Sequence, residues 1–354
     1  MSGWCERVLL VLLIGVWSAV GQQVGHVCTR VDGTQGVMRD LRECLQQGGS
    51  TESGSQLRLP GATDFDRVIV CCRTSSAAIA RNKCFEWQQQ RRRSGSRCTI
   101  TVPLVHGGES ALVREFPHIV SLLEDTSRGL RHVCGGSLIA RDWVLTAAHC
   151  VQFPTPRLVA RLGAHDFRER EPGISYDVIV ASYFIHPEYE EPRRYNDIAL
   201  LQLKFEAPVT DRIQPACLPY ENKRVRGGEE LLVAGWGLTG PGTRTSEVLH
   251  KAQVRSMSRF QCDQHDILRL NAAIDYPSGI TDSIICVDES NQGSCQGDSG
   301  GPLMFERGGQ CVQEVVGLVS RGVRGCTSSN VPGIYTRVEY YRDWIVDKVW
   351  KDAF

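Results

Sequence analysis

Gly297-Asp298-Ser299-Gly300-Gly301-Pro302 is the stretch on which the reading of this chain turns. It sets a serine in a loop whose glycines let the backbone approach a bound molecule closely. Two other segments give it chemical meaning. Thr146-Ala147-Ala148-His149-Cys150 places a histidine after an apolar run, and Asn196-Asp197-Ile198-Ala199-Leu200-Leu201 places an acid at the mouth of another. Alone, each has an ordinary explanation: a packed histidine, a turn aspartate, a loop serine. Their joint occurrence in the order His, Asp, Ser is far more specific than any of them alone.

The flanking sequence reads as strands. Over 105–354, short apolar runs such as Trp143-Val144-Leu145-Thr146 and Ile198-Ala199-Leu200-Leu201 alternate with Gly, Pro and Asp turns, which predicts an all-β barrel or sandwich. Ile345, Val349 and Trp350 recur at near-helical spacing and predict a closing helix over 340–351. The chain has 354 residues, 42% hydrophobic and 23% charged, with 15 cysteines, which suits a folded protein of an oxidising compartment. Its 40 Lys+Arg balance 40 Asp+Glu, excluding the basic surface of a general nucleic-acid binder.

Three segments precede this domain. Arg7, the apolar run over 8–20, and Ala19 and Gly21 ahead of a cut after Gly21 read as a signal peptide over 1–21, which predicts secretion to the extracellular space. That run is too short to span a bilayer. The cut removes Cys5 and leaves 14 cysteines, an even number. Residues 22–72 are short, polar and cysteine-bearing. Residues 73–104 hold seven Lys+Arg against the single acid Glu86, with Gln88-Gln89-Gln90, and read as a basic linker or pro-segment.

On the motifs around His149, Asp197 and Ser299, residues 105–354 resemble the chymotrypsin-fold, trypsin-like serine proteases. The resemblance implies a chymotrypsin-like double β-barrel with a C-terminal helix. It makes Ser299 the nucleophile of a serine endopeptidase, His149 its general base and Asp197 the group that orients the imidazole. The N–H groups of Gly297 and Ser299 would form the oxyanion hole. Family zymogens are cut before an Ile-Val-Gly-Gly-type start, matched here by Val105-His106-Gly107-Gly108, with His106 departing from the usual small apolar residue. The cut would follow Leu104, and the freed amine of Val105 would pair with Asp298. Cleavage after Arg91, Arg92, Arg93 or Arg97 is the alternative, but it leaves no matching N-terminus.

Relatives that cut after Arg or Lys carry an acid two residues before the position of Cys295. This chain has Gly293 there, and Gly322 and Gly333 match the other pocket walls. The resemblance therefore implies an open, uncharged slot and a chymotrypsin-like preference for Leu, Phe or Tyr before the cut. A trypsin-like activator is the alternative.

By the same resemblance Cys134–Cys150, Cys262–Cys286 and Cys295–Cys326 are paired. Cys28, Cys44, Cys71 and Cys72 resemble a clip domain, the small disulfide module that precedes arthropod cascade proteases. Six cysteines are usual there. Met38 stands about where the second belongs and none lies between Cys44 and Cys71, so the implied bridges are Cys28–Cys71 and Cys44–Cys72. Cys84, Cys98, Cys217 and Cys311 allow three connectivities. Relatives tether the pro-segment at the position of Cys217, so Cys98–Cys217 with Cys84–Cys311 is expected, and the crossed pairings stay open.

The resemblance as a whole implies a secreted zymogen of an extracellular cascade of the innate-immune, melanisation, clotting or Toll-ligand type. Its partners would be an upstream activating protease, a downstream zymogen and a serpin-type inhibitor, with no nucleic acid and no membrane span. A non-catalytic adaptor is the alternative of another class, and a digestive protease gains little from a tethered module. No cofactor is expected. Glu169 and Glu171, within 163–172, leave a calcium loop as the one metal possibility.

Overall fold

A computed structural model describes residues 27–29, 35–46, 49–50, 57–58, 68–93, 109–152, 157–169, 173–221, 224–239, 243–265, 275–290, 293–307, 312–321 and 332–351. The chain divides into two compact units, Met1–Ile79 with Val346–Phe354, and Ala80–Ile345. The signal-peptide segment 1–21 lies outside the described residues. Among the described residues, no helix is long and apolar enough to cross a membrane.

The first unit contains β1 (Val27–Thr29), β2 (Gln35–Asp40), α1 (Leu41–Gln46), β3 (Gly49–Ser50), β4 (Leu57–Arg58) and β5 (Val68–Thr74). β5 is the hub and pairs antiparallel with β2, β3 and β4, while β1 adds to β2. Successive side chains of a strand point to opposite faces. The adjacent Cys71 and Cys72 on β5 therefore reach different partners, Cys28 and Cys44 respectively. Cys44, Val70 and Cys72 are fully buried, with Leu41 packed on them. A core this small gains much of its stability from the two bridges.

Much of the stretch read as a spacer is helical, α2 (Ser76–Arg93). Ser75 Oγ accepts the Ala78 N–H at 3.2 Å, satisfying one free donor of the first turn. Ala80, Cys84 and Trp87 are buried at i, i+4, i+7 spacing. The charges that suggest a solvated linker sit mainly on the other face, and Arg91–Arg93 end the helix where cations suit its dipole. The buried face also corrects one expected pairing. Cys84 is bonded to Cys217, with Tyr220 packed against the bridge, so neither Cys98–Cys217 nor Cys84–Cys311 forms. Cys98 and Cys311 themselves lie outside the described residues.

The second unit is largely two β-barrels. After β6 (Glu109–Ser110), β7 (Ile119–Thr126), β8 (Gly129–Ala140), β9 (Trp143–Thr146), β10 (Leu158–Leu162), β11 (Tyr176–Ile185) and β12 (Ala199–Leu203) close in the order β10-β11-β12-β9-β8-β7. Val120, Leu122, Leu138, Val144, Ala160, Leu162 and Leu201 fill this barrel. β13 (Glu230–Gly235), β14 (His250–Ser256), β15 (Ile284–Asp288), β16 (Pro302–Arg307), β17 (Val312–Arg321) and β18 (Gly333–Arg337) run in the order β13-β16-β17-β18-β15-β14. Pairing of β13 with β14 closes this second ring, around Leu231, Val233, Val254, Val287, Leu303 and Tyr335. A short α3 (Arg259–Asp263) starts on a Ser258/Gln261 capping box. The closing helix is α4 (Arg342–Val349), with Ile345 and Val346 fully buried.

Candidate active site

β9 ends in a short 3-10 turn, Ala148–Cys150, which presents His149 and is stapled to β8 by Cys134–Cys150. Asp197 precedes β12 and has no solvent exposure. It is aimed by Asn196, which takes a left-handed φ of 55°, a conformation Asn tolerates better than most residues. Asn196 donates to the Glu188 carbonyl at 2.9 Å and accepts from Tyr341 Oη at 2.8 Å.

The Asp197 carboxylate accepts from the His149 N–H at 3.0 Å, from His149 Nδ1 at 2.8 Å and from Ser320 Oγ at 2.5 Å. Burial pushes its pKa up, but the His149 charge and these hydrogen bonds outweigh it and hold the group below the usual carboxylate range. It therefore stays ionised and fixes His149 with the proton on Nδ1, which leaves Nε2 able to take a proton. Thr336 donates to the Asp197 carbonyl at 2.8 Å. Ser320 on β17 and Thr336 on β18 come from the second barrel, so this acid is gripped from both.

Ser299 sits in a tight turn. The N–H groups of Asp298, Gly300 and Gly301 donate to the carbonyls of Cys295, Val319 and Asp298 at 2.9, 2.8 and 2.8 Å. Those of Gly297 and Ser299 make no hydrogen bond among the described residues and are available to an anion. Gly297 has φ 104°, and a Cβ there would lie 3.0 Å from Gly237 Cα, so the backbone itself demands glycine. His132 braces this turn. A carbonyl only accepts, so His132 donates from Nε2 to the Gly297 carbonyl at 2.8 Å, while Ser121 Oγ donates to Nδ1 at 2.8 Å. Ser299 Oγ makes no hydrogen bond among the described residues; such contacts commonly tighten only when substrate binds.

Asp298 points the other way. Its carboxylate accepts from the Gly237 N–H at 2.7 Å and the Cys295 N–H at 2.8 Å, close behind the bare α-carbons of Gly235 and Gly237. Desolvation raises its pKa to about 6 against these two bonds. Leu104 and Val105, expected to form the cleavage site, lie outside the described residues, as do Gly322 and Cys326; Cys295 is disulfide-bonded. Cys262–Cys286 is formed.

The slot between Gly293 and Gly333 departs from its expected character. It is not uncharged, because the side chain of Glu289, 2% exposed, lies against both glycines. A Cβ on Gly333 would fall 2.5 Å from Glu289 Oε2, and one on Gly293 would fall 2.5 Å from Glu289 Cδ. The two glycines thus make room for a carboxylate supplied from elsewhere. Its Oε1 accepts from Tyr335 Oη, from the Ser294 N–H at 2.9 Å and from Ser294 Oγ at 2.9 Å. Burial pushes this carboxyl up to about 7 despite those donors, and nearby Asp298 acts in the same direction. Oε2 is buried without a hydrogen-bond partner among the described residues.

Glu289, Ser320 and His132 escaped the sequence reading. The only hint for Glu289 was the Asp288-Glu289 pair at the end of an apolar strand, where alternation sends one acid outward and one inward. Of the residues around the suggested calcium loop, Glu169 is ion-paired with Arg212 at 3.3 Å, Asp166 is held by Arg168, and Glu171 lies outside the described residues. The one grouping of metal-binding atom types among the described residues is Cys134, His149 and Cys150, whose sulfurs form a disulfide.

A family model described as Trypsin matches residues 105–345. The chain is 36% identical to Serine protease Hayan of Drosophila melanogaster over 73% of its own length and 40% of that protein's. It is 36% identical to Trypsin 5G1 of Aedes aegypti over 68% of its length and 82% of that protein's. To Melanization protease 1 of Drosophila melanogaster it is 31% identical, over 97% of its length and 98% of the relative's. The match thus spans under half of Hayan but nearly all of Melanization protease 1. With the double barrel and the histidine–aspartate pair beside the Ser299 turn, this similarity shows that the chain belongs to the trypsin family of serine endopeptidases.

Proposed function

We propose that the chain is a secreted zymogen of an extracellular proteolytic cascade, switched on by one cut after Leu104, with Asp197, His149 and Ser299 as its catalytic residues. The observation that carries the reading is the buried, ionised Asp197 holding His149 Nδ1 at 2.8 Å beside a serine turn with two free N–H donors. Ser299 Oγ attacks the scissile carbonyl as His149 Nε2 takes its proton, and the oxyanion forms against the N–H groups of Gly297 and Ser299. His149 returns the proton to the leaving amine. Water then repeats the sequence on the acyl-enzyme and regenerates Ser299.

Two features support activation by cleavage. Asp298 is desolvated and has no ion-pair partner among the described residues, its pKa raised to about 6, so an amine freed at Val105 would supply a charge and lock the turn. Cys84 precedes the cut and Cys217 follows it, so their bridge keeps the cleaved N-terminal module attached. That module, with its Cys28–Cys71 and Cys44–Cys72 bridges, is of the clip type. Similarity along nearly the whole chain to a protein named Melanization protease 1 favours a cascade of that kind. An upstream protease that cuts after a large apolar residue, a downstream zymogen and a serpin-type inhibitor complete the reading.

A serine-directed fluorophosphonate tests it. The purified chain should label weakly before cleavage after Leu104 and strongly after it, at Ser299. Equal failure to label in both forms would favour a non-catalytic adaptor.

A further inference from the structure

We infer that Glu289 is the specificity-determining residue of this protease and makes its substrate slot a cation site that selects Lys or Arg before the cut. The slot is identified by chain position, since Gly293-Ser294-Cys295 leads directly into the Ser299 turn and Gly333 begins the neighbouring β18. Sequence alone makes those glycines look like walls of an empty, neutral pocket. In the structure both are bare because the Glu289 carboxylate occupies the space a Cβ would need. The acid thus comes from four residues before Gly293, instead of from that position itself.

The hydrogen bonding is unequal. Oε1 collects three donors, from Tyr335 and twice from Ser294, while Oε2 is buried with none among the described residues. A carboxylate oxygen sealed from water without a counter-charge is costly, and a substrate cation would offset that cost. A neutral Leu or Phe could not. Because Oε1 is already filled, a guanidinium cannot bridge both oxygens. Arg therefore loses its usual two-bond advantage over Lys, and both are accepted. This inference rests on the activation reading above.

Replacing residues 101–104 by a factor Xa recognition sequence permits controlled cutting before Val105, and Ser299 labelling then counts active molecules. Peptide libraries read out the residue before the cut. The expected result, with rates counted per labelled Ser299, is preference for Lys and Arg that drops on the order of a hundredfold in Glu289→Gln. Preference of the wild type for Leu, Phe or Tyr, or a basic preference that survives Glu289→Gln, overturns the inference. If the cut chain does not label, the activation reading fails by itself. The uncut chain then decides: benzamidine, a cation, should raise Tm while its neutral analogue benzamide does not. Equal behaviour of the two ligands refutes the cation site, and this comparison stands even where Glu289→Gln does not fold.

Discussion

Glu289 also makes a quantitative claim about stability. Its carboxyl is raised from an ordinary 4.5 to about 7, chiefly by burial, with Asp298 adding to the rise and Tyr335 and Ser294 opposing it. In the folded state the group therefore holds its proton through a range where the unfolded chain has lost it. Stability from this source is fully present below pH 4.5 and is lost as pH climbs through about 7. At about 1.4 kcal/mol per unit, the loss between pH 5 and pH 8 is on the order of 2–3 kcal/mol. Glu289→Gln keeps an acceptor for Tyr335 and Ser294 but cannot ionise, so it should lack this slope. The assay is urea unfolding under non-reducing conditions at both pH values, in a Ser299→Ala background that prevents self-cleavage. The difference between the two chains should widen toward alkaline pH in favour of Gln. Parallel pH dependences would show that Glu289 titrates normally and that the burial argument is wrong.

Other expectations follow from single contacts. Ser320→Ala removes a 2.5 Å hydrogen bond to the buried Asp197 carboxylate, and kcat/KM of the activated enzyme should fall by about ten- to a hundredfold, equivalent to about 1.5–3 kcal/mol, in steady-state assays. Asn196→Val forces a β-branched residue into φ 55° and should lower stability by about 1–3 kcal/mol, whereas Asn196→Gly should lower it less; thermal unfolding of the pair checks this. Peptide mapping without reduction should recover the Cys84 peptide joined to the Cys217 peptide, and a Cys98–Cys217 peptide would contradict the helix placement.

Local sequence was sufficient wherever the chemistry is local. The strand-like runs before His149 and after Asp197 are short, apolar and bounded by turns, and they fold as β9 and β12. The Gly297–Gly301 stretch declares its own tight turn because glycine readily takes the positive φ found at 297 and 300, 104° and 73°. Adjacent cysteines on one strand face opposite sides, so Cys71 and Cys72 take different partners once β5 is a strand, while the resemblance to clip domains supplied which partner each takes. Composition misled over 73–93. Charge and glutamine suggest a spacer, but Ala80, Cys84 and Trp87 share one buried helical face, and a face of few residues is invisible to a compositional average.

What the amino-acid order determined by itself was the pair of apolar patterns, the histidine, the acid and the serine turn, because each depends on neighbours within a few positions. What only the tertiary structure decided was which distant groups meet. Ser320 reaches Asp197 across 123 positions, and Cys84 finds Cys217 across 133. Gly293 and Gly333 acquire a charge they do not carry. A missing side chain marks space, and the packing of two barrels determines what enters it.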